Sequence, residues 1–414
     1  MERVIFHCDL NSFYASVELL SHPELRHLPV AVCGDPESRH GIILAKNEPA
    51  KRFGVKTAET IWQARKKCPD LVLLPAHHDR YREYSRRVNE LYQEYTDLVE
   101  PFGIDESWLD VTGTLHLFGG DPAALADRLR ERMRGELGLT ISVGVSFNKV
   151  FAKLGSDYKK PDATTCITLE NFRDIVWPLP VTDLLFVGRA AGRTLEKFGV
   201  RTIGELARFD REALYQLLGR PGAQLHDYAN GLDRAPVAPA GEHAPPKSVG
   251  NGLTFSKNLQ GREEIASGIA MLSDQVAARL RSHGMKCGGV ALTVRDPDFR
   301  DVSRQKQLDR PTNLSRELAR EAMDLADQLW NMSLPVRALT VTAIYLVAED
   351  EAVAQQDLFA GAEEEKRQRL EQLDRAMDAI RDKYGKGAIG RASTPKGMDR
   401  ERHAPPPGGA YHPK

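Results

Sequence analysis

Two adjacent carboxylates, Asp105 and Glu106, stand in an apolar, β-favouring stretch of the sequence beside Ile104, Trp108 and Val111. In a flat strand neighbouring side chains point to opposite faces, whereas at a hairpin bend both can turn toward one ligand. Adjacent negative charges in apolar surroundings are unfavourable unless a positive group neutralises them. The pair therefore indicates a divalent metal site or, as acidic pairs more often do, an exposed turn.

A third carboxylate, Asp9, follows the apolar residues 4–6, which predict a short buried strand. Apolar residues at helical spacing come next, and Asn11 or Ser12 stands where that helix would be capped. An aspartate at such a strand-to-helix junction is often only a cap. Together with the acidic pair described above, however, it forms the pattern of a two-metal phosphoryl-transfer site. Such a site needs about three carboxylates on a rigid sheet, and its ions activate the attacking oxygen and stabilise the leaving one.

Residues 6–18 (FHCDLNSFYASVE) and 103–111 (GIDESWLDV) resemble the paired motifs of the Y-family of translesion DNA polymerases. Within that family the chain most resembles the DNA polymerase IV branch, and the similarity runs in the same order to about residue 347. The resemblance implies an α+β multidomain fold, a right hand with palm, fingers and helix-hairpin-helix thumb, plus a tethered α/β little-finger domain. The implied boundaries are palm 1–10 and 78–168, fingers 11–77, thumb 169–234, linker 235–246, little finger 247–348 and tail 349–414.

The resemblance also implies roles for individual residues. Asp9, Asp105 and Glu106, assisted by the backbone carbonyl of Leu10, would hold two Mg²⁺ ions, for which Mn²⁺ can substitute. Asp105 and Glu106 are the implied catalytic pair. Tyr14 would be the steric gate, an aromatic ring under the sugar that excludes a 2′-hydroxyl, although an aromatic residue on a helix face is most often simply core. The implied nucleotide contacts are Phe13, Asn11, Lys51 and Lys160.

Residues 46–56 contain four basic side chains in eleven positions. A solvated helix face is the common explanation for such a cluster. The functional alternative is a clamp for a triphosphate, because lysine and arginine neutralise phosphate charge during transfer. The cluster departs from the resembled pattern in two places. Glu48 stands where relatives often carry an aromatic phosphate contact, and Lys51 stands where they often carry arginine, so the bidentate guanidinium geometry is lost.

The predicted thumb and little finger contain the expected DNA contacts. The run 184–189 and the helix predicted over 193–198 together resemble a helix-hairpin-helix, which would present backbone N–H groups near Gly188 and Arg189 to a DNA phosphate. Arg189 stands where a second glycine is often found. In the little finger, Lys247 and Arg304 are expected to contact DNA. The intervening linker 235–246 is rich in proline and is predicted not to pack into a core.

The tail contains a short peptide that resembles the sliding-clamp-binding peptide of bacterial polymerases. Gln355, Leu358 and Phe359 would enter pockets on the clamp, although two apolar residues in a polar segment can also be incidental. An amphipathic helix is predicted over 363–384, ended by Gly385. From residue 386 onward the chain is rich in proline, glycine and charge, which predicts disorder.

Composition limits the class of protein and the compartment. The chain has 414 residues with 41% hydrophobic and 28% charged residues and a net charge of −1, which is ordinary for a globular protein of about three domains. Five cysteines lie far apart without a Cys-x-x-Cys pair, which favours a reducing compartment and disfavours structural zinc. We find neither a membrane span nor a signal-peptide pattern, so a monomer in the bacterial cytoplasm is expected.

The sequence thus predicts a template-directed, low-fidelity translesion DNA polymerase that adds deoxynucleotides to a primer 3′-hydroxyl without proofreading. Its expected partners are primer–template DNA, deoxynucleoside triphosphates and the sliding clamp. Three alternatives remain open. They are a relative of the polymerase V catalytic subunit, a catalytically silent DNA-binding protein recruited by the clamp, and a nucleotide cyclase on a similar palm.

Overall fold

A computed structural model of the chain describes residues 2–34, 41–242, 245–352, 361–385 and 387–391. These residues form two compact units, the first ending at residue 242 and the second beginning at residue 245. Across the described ranges, no helix is long and apolar enough to cross a membrane. The predicted clamp-binding residues Gln355, Leu358 and Phe359 lie outside the described residues, as does most of the tail after residue 386.

The first unit contains eight strands and eleven α-helices among its described residues. The strands are β1 (Ile5–Leu10), β2 (Val30–Cys33), β3 (Ile43–Lys46), β4 (Val72–Pro75), β5 (Val99–Pro101), β6 (Glu106–Asp110), β7 (Ile141–Ser146) and β8 (Thr164–Ile167). The helices are α1 (Phe13–Ser21), α2 (Glu48–Arg52), α3 (Ile61–Lys67), α4 (His78–Gln93), α5 (Pro122–Arg132), α6 (Lys149–Tyr158), α7 (Phe172–Ile175), α8 (Arg189–Lys197), α9 (Ile203–Arg208), α10 (Arg211–Leu218) and α11 (Arg220–Ala229).

A five-stranded sheet of order β5-β6-β1-β7-β8 forms the centre of this unit. The middle strand, β1, is buried along its whole length, because α1 and α5 cover one face of the sheet and α6 covers the other. Side chains alternate between the two faces of a strand. Phe6, Cys8 and Leu10 therefore enter the large core on one face, while Ile5, His7 and Asp9 point to the opposite face.

Helix α6 packs unusually close to the central sheet, and glycine makes this possible. A Cβ atom on Gly144 of β7 would lie 1.9 Å from the carbonyl oxygen of Ala152. Further along its surface, α6 contributes Phe151 and Leu154 to the core of the helical region α7–α11, where Leu195 is also buried. One helix therefore belongs to both the sheet and the helical region.

A smaller sheet of order β3-β2-β4 is packed with α2 and α3 around its own buried cluster. Helix α3 begins with a capping box, in which the Thr60 hydroxyl accepts from the backbone N–H of Gln63 and the Gln63 side chain accepts from the backbone N–H of Thr60. These residues form the lobe that carries the basic cluster 46–56.

The proline-rich segment expected to avoid any core does pack against the first unit. Val237 is 3% exposed and lies in a cluster with Ile5, Trp108 and Ala152. The backbone N–H of Ala238 donates to the Glu100 side chain at 2.8 Å. The prediction was wrong for this part because a single apolar residue among prolines is enough to dock an extended chain.

The second unit has four strands and three helices in the residues described: β9 (Ser248–Leu259), α12 (Gly261–Ser282), β10 (Met285–Arg295), β11 (Asp301–Thr312), α13 (Ser315–Leu329), β12 (Val336–Ala348) and α14 (Gly361–Tyr384). The strands form an antiparallel sheet of order β11-β10-β12-β9, and α12 and α13 pack on one face.

The predicted tail helix is α14, and it is attached to the second unit by a buried carboxylate. Asp374 is 3% exposed and accepts hydrogen bonds from the backbone N–H of Ser315 at 3.0 Å and from Arg281 at 3.1 Å. It therefore supplies the cap that α13 lacks in its own sequence. Arg391, in the described part of the segment predicted to be disordered, also contacts Asp374.

The predicted cap of α1 is not formed in the expected way. Ser12 has φ 50° and ψ 41°, and its side chain accepts no capping hydrogen bond. An N-cap side chain reaches the helix from an extended backbone, which this left-handed residue lacks. The Asn11 side chain instead donates to Ser142 at 2.9 Å and accepts from the backbone N–H of Asp162 at 2.8 Å.

Candidate active site

The structure brings the three predicted carboxylates together at one end of the central sheet. Asp9 on β1 and Glu106 on β6 are direct partners in the antiparallel register. Asp105 lies in the bend that joins β5 to β6. The N–H groups of Phe102 and Gly103 close this bend by donating to the carbonyl of Glu106. The backbone N–H of Leu10 donates to the carbonyl of Asp105 at 2.9 Å, which joins the bend to β1.

Two lysines supply positive charge to this cluster. The ammonium of Lys153 lies 2.6 Å from Glu106 Oε2 and 3.0 Å from Asp9 Oδ2, and that of Lys160 lies 2.7 Å from Asp9 Oδ2. Although burial favours the neutral amine, the negative charges of Asp9 and Glu106 outweigh it and raise the pKa of Lys153. Lys160 was predicted from the sequence, whereas Lys153 was not.

Among the three carboxylates, Asp105 has the least positive charge nearby. Burial, followed by the charges of Asp9 and Glu106, raises the pKa of Asp105 to about 6. The cluster therefore lacks positive charge near Asp105. Carboxylate oxygens are the donors that Mg²⁺ and Mn²⁺ prefer, so this set of residues fits a divalent cation.

His7 is a further member of the cluster that the sequence reasoning missed. Its ring is buried, with Nδ1 2.8 Å from the Ser156 hydroxyl and Nε2 3.4 Å from Glu106 Oε2. Nε2 has no hydrogen-bond partner. Burial lowers the pKa of His7 well below its ordinary value, so the imidazole is neutral. Its position two residues before Asp9, on the same face of the strand, was the available signal.

An open cleft of about 500 Å³ lies above the carboxylates, between the central sheet and the lobe with the basic cluster. Tyr14 lines this cleft. Its ring stacks on Tyr81 with a centroid distance of 4.0 Å and an interplanar angle of 12°. The Tyr81 hydroxyl in turn donates to the buried Glu18 at 2.5 Å. The ring of Tyr14 is thus held in place from below.

Of the other predicted nucleotide contacts, three line the cleft and one does not. Lys51 and Lys160 line the cleft with Lys46, and Phe13 also lines it although this residue is largely buried in the core. Asn11 is not among the lining residues, and its side chain is instead hydrogen-bonded to Ser142 and to the backbone N–H of Asp162. Glu48 pairs with Lys51 at 2.5 Å, so the unexpected acid serves as the partner of the substituted lysine.

The predicted DNA contacts lie on exposed surface. Gly188 is the N-cap residue of α8 and Arg189 is its first residue, and both residues are exposed. In the second unit, Lys247 precedes β9 and Arg304 lies on β11, and both are exposed. These positions suit contact with a phosphate backbone.

Comparison with known proteins agrees with this architecture. The model of the impB/mucB/samB family matches residues 8–157, and that of the impB/mucB/samB family C-terminal domain matches residues 246–358. The chain is 48% identical to DNA polymerase IV of Acetivibrio thermocellus, over 94% of this chain and 97% of that protein. It is 38% identical to DNA polymerase IV 1 of Bacillus subtilis, over 95% of this chain and 94% of that protein.

A solved Y-family DNA polymerase chimera has the same fold. It superimposes with a TM-score of 0.73 at 21% sequence identity, covering 83% of this chain and 99% of the chimera. The fold is that of a polymerase with palm, fingers, thumb and little finger, and the matched relatives are DNA polymerases. The chain belongs to the Y-family of DNA polymerases, in the DNA polymerase IV group, and is a translesion DNA-directed DNA polymerase.

Proposed function

We propose that the chain extends a primer on a DNA template by two-metal phosphoryl transfer, in which the primer 3′-hydroxyl attacks the α-phosphate of a deoxynucleoside triphosphate. The observation that carries this proposal is the convergence of Asp9, Asp105 and Glu106 at the floor of the cleft beside Tyr14. With the carbonyl of Leu10, these carboxylates would hold two Mg²⁺ ions, or Mn²⁺ in their place. The ions, when bound, activate the attacking oxygen and stabilise the leaving one.

The remaining side chains of the cleft have roles that follow from their chemistry. Lys51 and Lys160, together with Lys46, would neutralise the triphosphate, because an ammonium acts on phosphate as a point charge. Tyr14 would exclude a ribonucleotide by contact with its 2′-hydroxyl. The rigid stack beneath Tyr14 supports this role, since a mobile ring would discriminate poorly.

Several features of the sequence analysis remain part of the proposal. The enzyme would act as a monomer in the bacterial cytoplasm, with primer–template DNA bound at Gly188, Arg189, Lys247 and Arg304. The domain boundaries given above, recruitment by a sliding clamp and the lack of proofreading also stay predictions. Free cysteines at all five positions are consistent with a reducing compartment.

Primer extension with Mg²⁺ and single nucleotides tests the mechanism. We expect the wild type to extend an undamaged primer, and Asp105→Asn and Glu106→Gln to reduce the rate by at least about a thousandfold. Asp97→Asn, an exposed carboxylate in the same region, is the control and should retain full activity. A mismatched primer end should not be shortened. A wild type that binds primer–template yet fails to extend it would refute the proposal.

A further inference from the structure

The ammonium of Lys153 lies where the two facing carboxylates of the site would share a cation. It is within hydrogen-bond distance of both Asp9 and Glu106, and its side chain is only 17% exposed. A divalent ion held by the same two carboxylates would therefore meet a positive charge beside their oxygens. Like charges at such separations repel strongly in a partly buried site, so ammonium and ion compete for these oxygens.

Helix α6 offers Lys153 a second acceptor. Asp157 lies one turn further along the helix, with Oδ2 3.3 Å from the Lys153 ammonium and Oδ1 2.7 Å from that of Lys160. Its side chain is 51% exposed, whereas that of Lys153 is 17% exposed. Because Lys153 already touches Asp157, a small rotation of its flexible chain exchanges one set of carboxylates for the other.

We propose that Lys153 is a displaceable counter-ion of the active site and that Asp157 is the residue that receives it when a divalent metal enters. In the metal-free protein the ammonium neutralises Asp9 and Glu106, which stabilises an otherwise strongly acidic cluster. Upon metal binding it pairs with Asp157 and clears the oxygens. Asp157 is therefore a positioning residue for metal loading. This inference rests on the proposed metal-binding role of the three carboxylates.

The arrangement also explains why two lysines and a fourth carboxylate stand so close to three acids. Lys160 contacts Asp157 as well as Asp9, so both ammonium groups share the half-exposed Asp157 as a partner. The charge of the cluster can thus be redistributed without leaving an ammonium unpaired. An unpaired ammonium would be unfavourable because these side chains are partly buried.

Mn²⁺ binding, followed by electron paramagnetic resonance of the full chain without DNA or nucleotide, tests the proposal. We expect Asp157→Asn to weaken Mn²⁺ binding by about fivefold, because Lys153 loses its alternative partner. Lys153→Met should bind Mn²⁺ more tightly than the wild type, yet unfold at a lower temperature in EDTA. In the double variant, Asp157→Asn should add nothing to the effect of Lys153→Met.

Matched variants separate this effect from a structural one. Lys149→Met changes a lysine of the same helix that pairs with Glu100, and it should leave Mn²⁺ affinity unchanged. Asp157→Glu should restore it. Unchanged affinity in Asp157→Asn, or an equal loss in the Lys153→Met background, would overturn the inference. Unchanged Mn²⁺ binding in the Asp105→Asn and Glu106→Gln variants would instead refute the proposed metal site itself.

Discussion

Replacing Asp105 by asparagine should stabilise the metal-free protein while it abolishes catalysis. The pKa of Asp105 is raised from 3.8 to about 6, by burial and by the charges of Asp9 and Glu106. In the fold the ionised form is therefore disfavoured relative to the unfolded chain. A shift of roughly two units corresponds to about 3 kcal/mol at 1.36 kcal/mol per unit. Asparagine carries no charge, so the free energy of unfolding of the Asp105→Asn protein should exceed that of the wild type by up to that amount at pH 8.

The pH dependence tests the electrostatic cause. Because the pKa of Asp105 is higher in the fold, the wild type loses stability as the pH rises from the unfolded value toward 6, and the full loss is present above that. At pH 5 the carboxyl of Asp105 is mostly protonated in the folded protein. The gain in free energy of unfolding from Asp105→Asn should therefore fall to roughly half its value at pH 8.

Differential scanning calorimetry in EDTA is the direct measurement. For a unit of this size, about 3 kcal/mol corresponds to a rise in Tm of roughly 6 to 12 °C for the transition of the first unit at pH 8. Asp97→Asn is the control and should move Tm by little at either pH, because that side chain is exposed. An Asp105→Asn protein that is no more stable than the wild type at pH 8, or equally stabilised at pH 5, would show that the acidic cluster is not under electrostatic strain.

Three further predictions concern packing, sugar selection and the tail helix. Gly144→Ala should lower the free energy of unfolding of the first unit by about 3 kcal/mol in urea titrations, because the added methyl group would clash with the backbone of Ala152. Gly135→Ala is the control, because the space around Gly135 is open. Tyr14→Ala should lower the preference for deoxynucleotides over ribonucleotides in single-nucleotide extension by at least about tenfold. Asp374→Asn should destabilise the second unit by about 2 kcal/mol in thermal unfolding, because Arg281, only 7% exposed, loses one of its two carboxylate partners and keeps Asp378 alone.

The elements that hold the three candidate carboxylates could be predicted because local sequence determines them. Residues 4–6 are apolar and lead into β1, and a turn-forming Pro–Gly segment precedes the Asp-Glu pair, so strand and bend follow from propensity. The meeting of Asp9 with Glu106 does not follow from propensity. It depends on the antiparallel register of two strands distant in sequence, which the resemblance to a family supplied and the structure shows.

The residues that the sequence did not reveal are those whose role depends on tertiary contact. In the sequence Lys153 is simply one of two lysines on the amphipathic helix α6, and only the close packing of α6 on β7 places its ammonium among the carboxylates. His7 reads as a buried strand residue, and its unpartnered nitrogen is visible only once Ser156 and Glu106 are located. Val237 reads as part of a linker because neighbouring prolines dominate the pattern.

Helix α6 connects these observations, because one element sets both the packing and the charge of the site. Its Ala152 backbone approaches the sheet so closely that only glycine fits opposite, which fixes the height of Lys153 above Asp9. Leu154 on the same helix is buried in the core of α7–α11. A shift of that helical region would therefore be transmitted to the lysine at the carboxylates. We therefore predict that Gly144→Ala, which disturbs the packing of α6 on the sheet, changes the Mn²⁺ affinity of the proposed metal site, and an unchanged affinity would contradict such a coupling.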